Sequence, residues 1–467
     1  MTEQLNAPKQ VILAVHFPGV NNTTVWSDPA SRSQVEFDSF IHLAQTAERG
    51  KFDFFFLAEG LRLREHRGRI HDLDVVGRPD NATILAGIAA VTDRLGLACT
   101  LNSTFHEPYE LARQMASLDH LSNGRAAWNV VTSSDAFTGA NFRRGGFLDY
   151  GDRYDRAEEL IDLARQLWTS WSTDDVVADS ASGQFLASAD AGAFAHDGEE
   201  FHIHGHYNVP RSPQVHPIVI QAGDSDPGRE LAARTADVIF TRHSGYDAGR
   251  AFYADVKGRL AKYGRDLGDL KIVPAATAVL GDTPEEAQER SRVIKLQQVS
   301  RPTAMRFIEQ LWNRDLSAYD PDGPLPDVDP DVSEQKMMQG QTRIFDDPIA
   351  ISKQWRALAE AKNLSIREVA AEMAGRTTFV GTPVQVAQEI NRRVQDDASD
   401  GFIFVPHITP AGLDDFVEKV VPILQEMGVF RTEYETTTLR DHLGLKPAGS
   451  YGPYARLQTV QRTGASA

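Results

Sequence analysis

Polar side chains crowd the end of one apolar run in this sequence. The stretch Gly124–Tyr154 places Asn129, Thr132, Ser133 and Ser134 where the run Arg125–Val131 stops. A glycine-rich loop follows, then Tyr150 and Tyr154 at the head of a long helix-forming segment. Hydrogen-bonding groups gathered at the end of a buried strand suit a binding or catalytic pocket, because the strand fixes what the loop presents. A second cluster is QAGDSDPGRELAAR. There the run Ile218–Ala222 ends in Gly223, which permits a tight turn. Ser225 or Asp226 can cap the next helix, and Pro227 suits its first position. Free N–H groups and the positive end of the helix dipole can hold an anion such as a phosphate, with a hydroxyl from Ser225. An ordinary capped turn between strand and helix has the same sequence.

Other residues are candidates by type and place. Tyr150 and Tyr154 are four apart and share one helix face if the helix begins early enough; their hydroxyls can donate to a phosphate, or their rings can simply pack. Glu59 ends FDFFFLAE, and Thr100 ends the run Leu95–Thr100. Asn129 is an amide inside an apolar run, where burial demands partners; a bond between strands would also satisfy it. His16 closes the first run and His106 follows the third, both suited to substrate handling, although a lone histidine is more often structural. HIHGH at His202–His206 alternates like a hairpin face and lacks the carboxylate or cysteine pattern of a metal site. Cys99 is the only cysteine and reads as a small buried hydrophobe.

The elements that must position these residues alternate. Apolar runs occur at Val11–Val15, Phe52–Leu57, Leu95–Thr100, Ala126–Val131, Ile218–Ala222, Val238–Thr241, Ile272–Val279 and Phe402–Val405. Most are apolar at consecutive positions, as strands buried on both faces of a parallel sheet are. Amphipathic segments lie between them, and eight such units predict a (β/α)₈ TIM-like barrel rather than a doubly wound open sheet. We expect a single domain over 1–467 with two excursions, at about 172–216 and 300–379, and an irregular C-terminal tail. The first contains EFHIHGHYNV, a predicted hairpin. The second holds the Pro/Asp-rich YDPDGPLPDVDPDV and then a helical stretch, Ile351–Gly375.

Composition narrows the classes. The net charge of −17 argues against a nucleic-acid or acidic-membrane surface. No apolar run approaches the ~20 residues that span a bilayer. The start, MTEQLNAPKQ, lacks a signal-peptide pattern, so a cytoplasmic protein is expected. GxGxxG after the first strand, a P-loop and GxSxG are all absent.

Three segments carry a resemblance over about Val11 to Leu445: GRAAWNVVTS, DRYDRAEELIDLARQLWTSW and VPRSPQVHPIVIQAGDSDPGRELAAR. Together they resemble flavin-dependent monooxygenases of the nitrilotriacetate, dibenzothiophene-sulfone and pristinamycin-synthase type, in the bacterial-luciferase-like superfamily. The resemblance implies a two-component system. A separate NAD(P)H:flavin reductase supplies reduced FMN (FMNH2), O2 adds to it, and a peroxyflavin oxygenates a small organic substrate. It also implies a homodimer or homotetramer. In that family the segment matching Gly223, Asp224 and Ser225 holds the FMN phosphate, and the residue matching Tyr154 contacts it. Where the family usually has histidine this chain has Tyr150. Glu59 stands where aspartate is usual near the flavin ring, Thr100 matches a flavin-contacting threonine, and Asn129 would face the flavin pyrimidine. The alternatives are a deazaflavin (F420)-dependent oxidoreductase of the same superfamily, a barrel hydrolase using rim carboxylates such as Glu59, and a non-catalytic flavin-binding protein.

Overall fold

Eight parallel strands close into a barrel in chain order: β1 (Ile12–His16), β2 (Phe54–Leu57), β3 (Gly96–Asn102), β4 (Ala126–Val131), β5 (Ile218–Gln221), β6 (Val238–Thr241), β7 (Lys271–Ala276) and β8 (Gly401–Phe404). This computed structural model describes residues 7–70, 76–133, 136–142, 152–333, 338–339, 347–374 and 378–449. β8 closes on β1 with Gly401 opposite Ile12, and a Cβ at Gly401 would run into the Ile12 carbonyl. All eight apolar runs became barrel strands. Alternate residues explain their unbroken apolarity: Ala14, Phe54, Phe56, Ala98, Ala127, Ile220, Val273 and Ile403 fill the inside. Leu13, Phe55, Leu97, Trp128, Val219 and Ile239 face the outer helices. The run Ile272–Val279 is interrupted at Thr277. Past that point Ala278–Leu280 leaves the barrel and pairs with Phe379–Gly381.

Helices α1 (Phe37–Arg49), α2 (Asn81–Ala89), α3 (Pro108–Leu121), α4 (Asp152–Thr169), α5 (Asp226–Thr235) and α6 (Tyr246–Arg259) follow β1 to β6. After β7 come α7 (Pro284–Gln298), α8 (Arg301–Trp312), α9 (Pro348–Lys362), α10 (Ile366–Ala374) and α11 (Pro383–Gln395). The stretch expected to be helical over Ile351–Gly375 forms two helices, α9 and α10, parted where Asn363 caps α9 in the left-handed region at φ 51°; Gly375 lies outside the described residues. α8 to α10 pack on each other around Ile308, Trp312, Trp355, Ile366 and Val369, a core of their own beside that of the barrel. The first excursion carries two hairpins, Val176–Asp179 with Gln184–Leu186, and Ala193–Asp197 with His202–His206.

The N-terminal mouth of the barrel is filled by the chain beyond β8. Leu439, Leu443 and Leu445 join the inner core. Arg440 is buried there, donating to the His216 carbonyl at 3.1 Å and pairing with Asp237 at 3.4 Å. No helix among the described residues is long and apolar enough to cross a membrane.

Candidate active site

The C-terminal ends of the strands bring the two polar clusters together. A cavity of about 270 Å³ lies where β4 and β5 end, lined by Thr132, Arg153, Tyr154, Gln221, Gly223 and Ser225 among others. Ser225 caps α5: its Oγ accepts from the Gly228 N–H at 3.3 Å, and Pro227 occupies the first turn. Tyr154, in the first turn of α4, places its hydroxyl 2.9 Å from Ser225 Oγ. The turn depends on two glycines. A Cβ on Gly223 would lie 2.7 Å from Gly228 Cα, so only bare backbone lets the loop rest on the helix end. Gln221 Oε1 accepts from the Gly223 N–H at 2.5 Å and holds the bend. The backbone of Gly223–Ser225, the hydroxyls of Tyr154 and Ser225 and the guanidinium of Arg153 thus line one cavity at a helix N-terminus, groups that can bind an anion.

Asp224 has a different task. Its carboxylate turns to Arg242 at 2.6 Å and to Thr241 at 3.4 Å. Only its backbone is left for the cavity, which suits an anion, since a free carboxylate there would repel it. Arg153, which no sequence motif singled out, lies with its guanidinium 4.8 Å over the Tyr154 ring and donates to that hydroxyl at 3.3 Å. Tyr150 lies outside the described residues.

Deeper in the barrel, Thr100 and Asn129 are register partners on β3 and β4, both buried. Asn129 Nδ2 donates to Thr100 Oγ1 at 2.9 Å, which leaves Asn129 Oδ1 buried without a partner. A buried acceptor with no donor costs about 1–3 kcal/mol. The inter-strand bond considered from sequence therefore exists and satisfies only half the amide.

Glu59 follows β2. The residue keeps some exposed surface, but its carboxyl is enclosed, and burial together with the nearby Asp80 carboxylate pushes its pKa up to about 8. At neutral pH it is largely protonated and can donate a hydrogen bond. His16 is pushed the other way, to about 3, by burial and by the positive charge of Arg78. Its Nδ1 lies 3.0 Å from the Phe56 carbonyl, so the neutral ring carries its proton there and Nε2 keeps a lone pair. His106 is half-buried, its Nδ1 2.9 Å from the Asn102 carbonyl. The rim is fixed by side chains the sequence did not mark. Asn81 Nδ2 donates to the Thr100 carbonyl at 2.9 Å, and Arg78 bridges the Pro18 carbonyl at 3.1 Å and the Glu59 carbonyl at 3.3 Å.

Residues 20–400 match the luciferase-like monooxygenase family. The chain is 39% identical to nitrilotriacetate monooxygenase component A of Aminobacter aminovorans, over 93% of this chain and 94% of that protein. It is 40% identical to N-acetyl-S-(2-succino)cysteine monooxygenase of Bacillus subtilis (strain 168), over 95% of this chain and 98% of that one. Among solved structures, DmoA from Hyphomicrobium sulfonivorans superposes with a TM-score of 0.82 at 27% identity, covering 97% of each chain. A riboflavin lyase, solved with modified FMN and riboflavin, superposes with a TM-score of 0.77 at 29% identity, over 94% of this chain and 97% of that one. With a closed eight-stranded barrel, a family match over residues 20–400 and relatives about 40% identical along nearly the whole chain, the chain belongs to the luciferase-like family of flavin-dependent monooxygenases.

Proposed function

We propose that this chain binds reduced FMN at the rim of its barrel and uses it, with O2, to oxygenate a small organic substrate. A separate NAD(P)H:flavin reductase would supply the reduced flavin. The observation that carries the reading is the Tyr154–Ser225 contact at the head of α5, a few residues along the strands from the unpaired Asn129 carbonyl. One group is suited to a phosphate and the other to a ring N–H, which is what FMN presents at its two ends. The riboflavin lyase of the same fold holds a modified FMN.

Bound reduced FMN supplies the electrons that activate O2, one oxygen atom going to the substrate and the other to water. The chain does the rest. Ser225, Tyr154 and the backbone of the turn at Gly223–Ser225 hold the phosphate and fix the depth of the ring. Thr100 orients Asn129 so that its carbonyl faces the ligand. Glu59 keeps a proton on its carboxyl at neutral pH, and His16 keeps a lone pair on Nε2. Glu59 thus offers the rim a donor and His16 an acceptor, while His106 stands on the same rim after β3.

Titration under anaerobic conditions with reduced FMN and with reduced F420, followed by mixing with oxygenated buffer, tests this reading. Tight binding of reduced FMN, and its reoxidation altered by the protein, are expected. Selective binding of reduced F420 would replace the monooxygenase reading with the dehydrogenase one.

A further inference from the structure

The hairpin Val176–Asp179 with Gln184–Leu186 stands out from the body of the molecule. Every residue from 172 to 190 is exposed except Asp175, which is half-buried. Its ladder is internal: Val176 pairs with Leu186 and Asp179 with Gln184, and the Ala187 N–H donates to the Asp175 carbonyl at 2.8 Å. Yet this arm is apolar on both faces. Val176 and Leu186 oppose each other across the ladder, and their sequence neighbours Val177 and Phe185 point the other way, Phe185 being 64% exposed. A lone two-stranded hairpin is marginal in water, and apolar side chains on both its faces favour a state in which something covers them. The charged residues of the arm are all acidic: Asp174, Asp175, Asp179 and Asp190. A surface of the opposite character begins at its root. Trp171 Nε1 donates to the Tyr207 carbonyl at 2.6 Å, and the Tyr207 ring meets Tyr109 of α3 edge-on at 5.7 Å. From there the chain follows α3 to Pro210, whose carbonyl lies 2.9 Å from His120 Nε2. Along this strip Glu110, Arg113, Ser117, His120 and Leu121 are exposed one turn after another, Leu121 by 64%. Arg211 follows Pro210, and its Nε is buried without a partner. Among the described residues neither Arg113 nor Arg211 pairs with a carboxylate.

We infer that two copies of this chain exchange arms: the acidic, apolar hairpin of one lies along the α3 strip of the other, and the reciprocal contact closes the pair about a two-fold axis. Root and strip are side by side on one chain, so a single axis beside α3 carries both contacts. Charge matches, aspartates on the arm against the unpaired Arg113 and Arg211 on the strip. Size matches too, because the exposed run 172–190 together with the strip reaches the about 20–30 residues a side of a stable interface. A partner met only in passing, such as a reductase, would leave the apolar arm bare between encounters; a second copy covers it permanently.

Sedimentation velocity on the full chain tests it. At micromolar concentration the parent should run as a dimer or a multiple of one. Val177→Asp with Phe185→Asp puts charge on the arm, and Arg113→Glu with Leu121→Asp reverses the strip. All four side chains are exposed, so far-UV circular dichroism should stay that of the parent. Each pair of substitutions should raise the dimer dissociation constant about tenfold or more. Cross-linking then locates the contact. Cys99 is buried, so Phe185→Cys in one copy and Leu121→Cys in the other supply the accessible thiols. When the two variants are co-expressed, a short bismaleimide should join them, and join far less in either variant alone. A monomeric parent, parental dissociation in either charge variant, or no link between the co-expressed copies overturns the arm exchange. A monomeric parent whose arm variant loses binding to a flavin reductase would give the arm to that partner instead.

Discussion

Tyr154 and Ser225 touch at 2.9 Å, and the contact sets what each can give a phosphate. Tyr154→Phe removes one hydroxyl and keeps the ring under Arg153. A hydrogen bond to a charged group is worth about 1.5–3 kcal/mol, so affinity for reduced FMN should fall about tenfold to a hundredfold. Melting of the flavin-free protein should barely change. An unchanged affinity, with Tyr154→Ala melting lower, would make this residue a packing group only. Glu59 offers a pH test. Its carboxyl holds a proton more tightly in the fold, at about 8, than at its ordinary value of 4.5, so the folded state binds more protons between those values. The stability this brings is complete below about 4.5 and is lost as pH rises through about 8. Glu59→Gln should flatten the fall in melting temperature between these limits, and an unchanged profile would show that the carboxyl is ionised throughout.

At the scale of elements, the turn from β5 to α5 was legible because everything it needs is local. Gly223, the cap Ser225, Pro227 and Gly228 lie within six positions, and each acts on a neighbour in sequence. Gly223→Ala should push the loop off the helix end, since the new methyl meets Gly228 Cα at 2.7 Å and the Gln221 amide nitrogen at 2.6 Å. Reduced-FMN affinity should drop more than tenfold with a modest loss of melting temperature. Retained affinity would show that the loop can shift without loss of the cradle. What the sequence hid was non-local. The turn of Asp224 toward Arg242 needs β6 alongside, and the pairing of His66 with Glu309 joins residues 243 positions apart. The helix boundary at Asn363 escaped because asparagine in the left-handed region is set by its neighbours more than by its type. The strands were readable for the opposite reason: a strand buried on both faces writes its environment into every residue.

For the whole molecule, the division of labour can be tested directly. The protein alone should oxidise NADH negligibly, and an unrelated flavin reductase with FMN should restore turnover; rapid NADH oxidation by this chain alone would contradict the two-component reading. The barrel's integrity depends on residues far from that chemistry. Leu439→Ala should leave a cavity among Leu443 and the inner strand residues and cost about 2–5 kcal/mol, read as a lower denaturation midpoint with reduced-FMN affinity kept while the protein stays folded. A midpoint equal to the parent's would show that the floor of the barrel contributes nothing. That floor follows all eight strands in chain order. During translation the staves of the barrel leave the ribosome before the piece that seals it. Until Leu439 to Leu445 emerge, the nascent barrel has an open, apolar base, a ready target for chaperones and for neighbouring nascent chains on the same message.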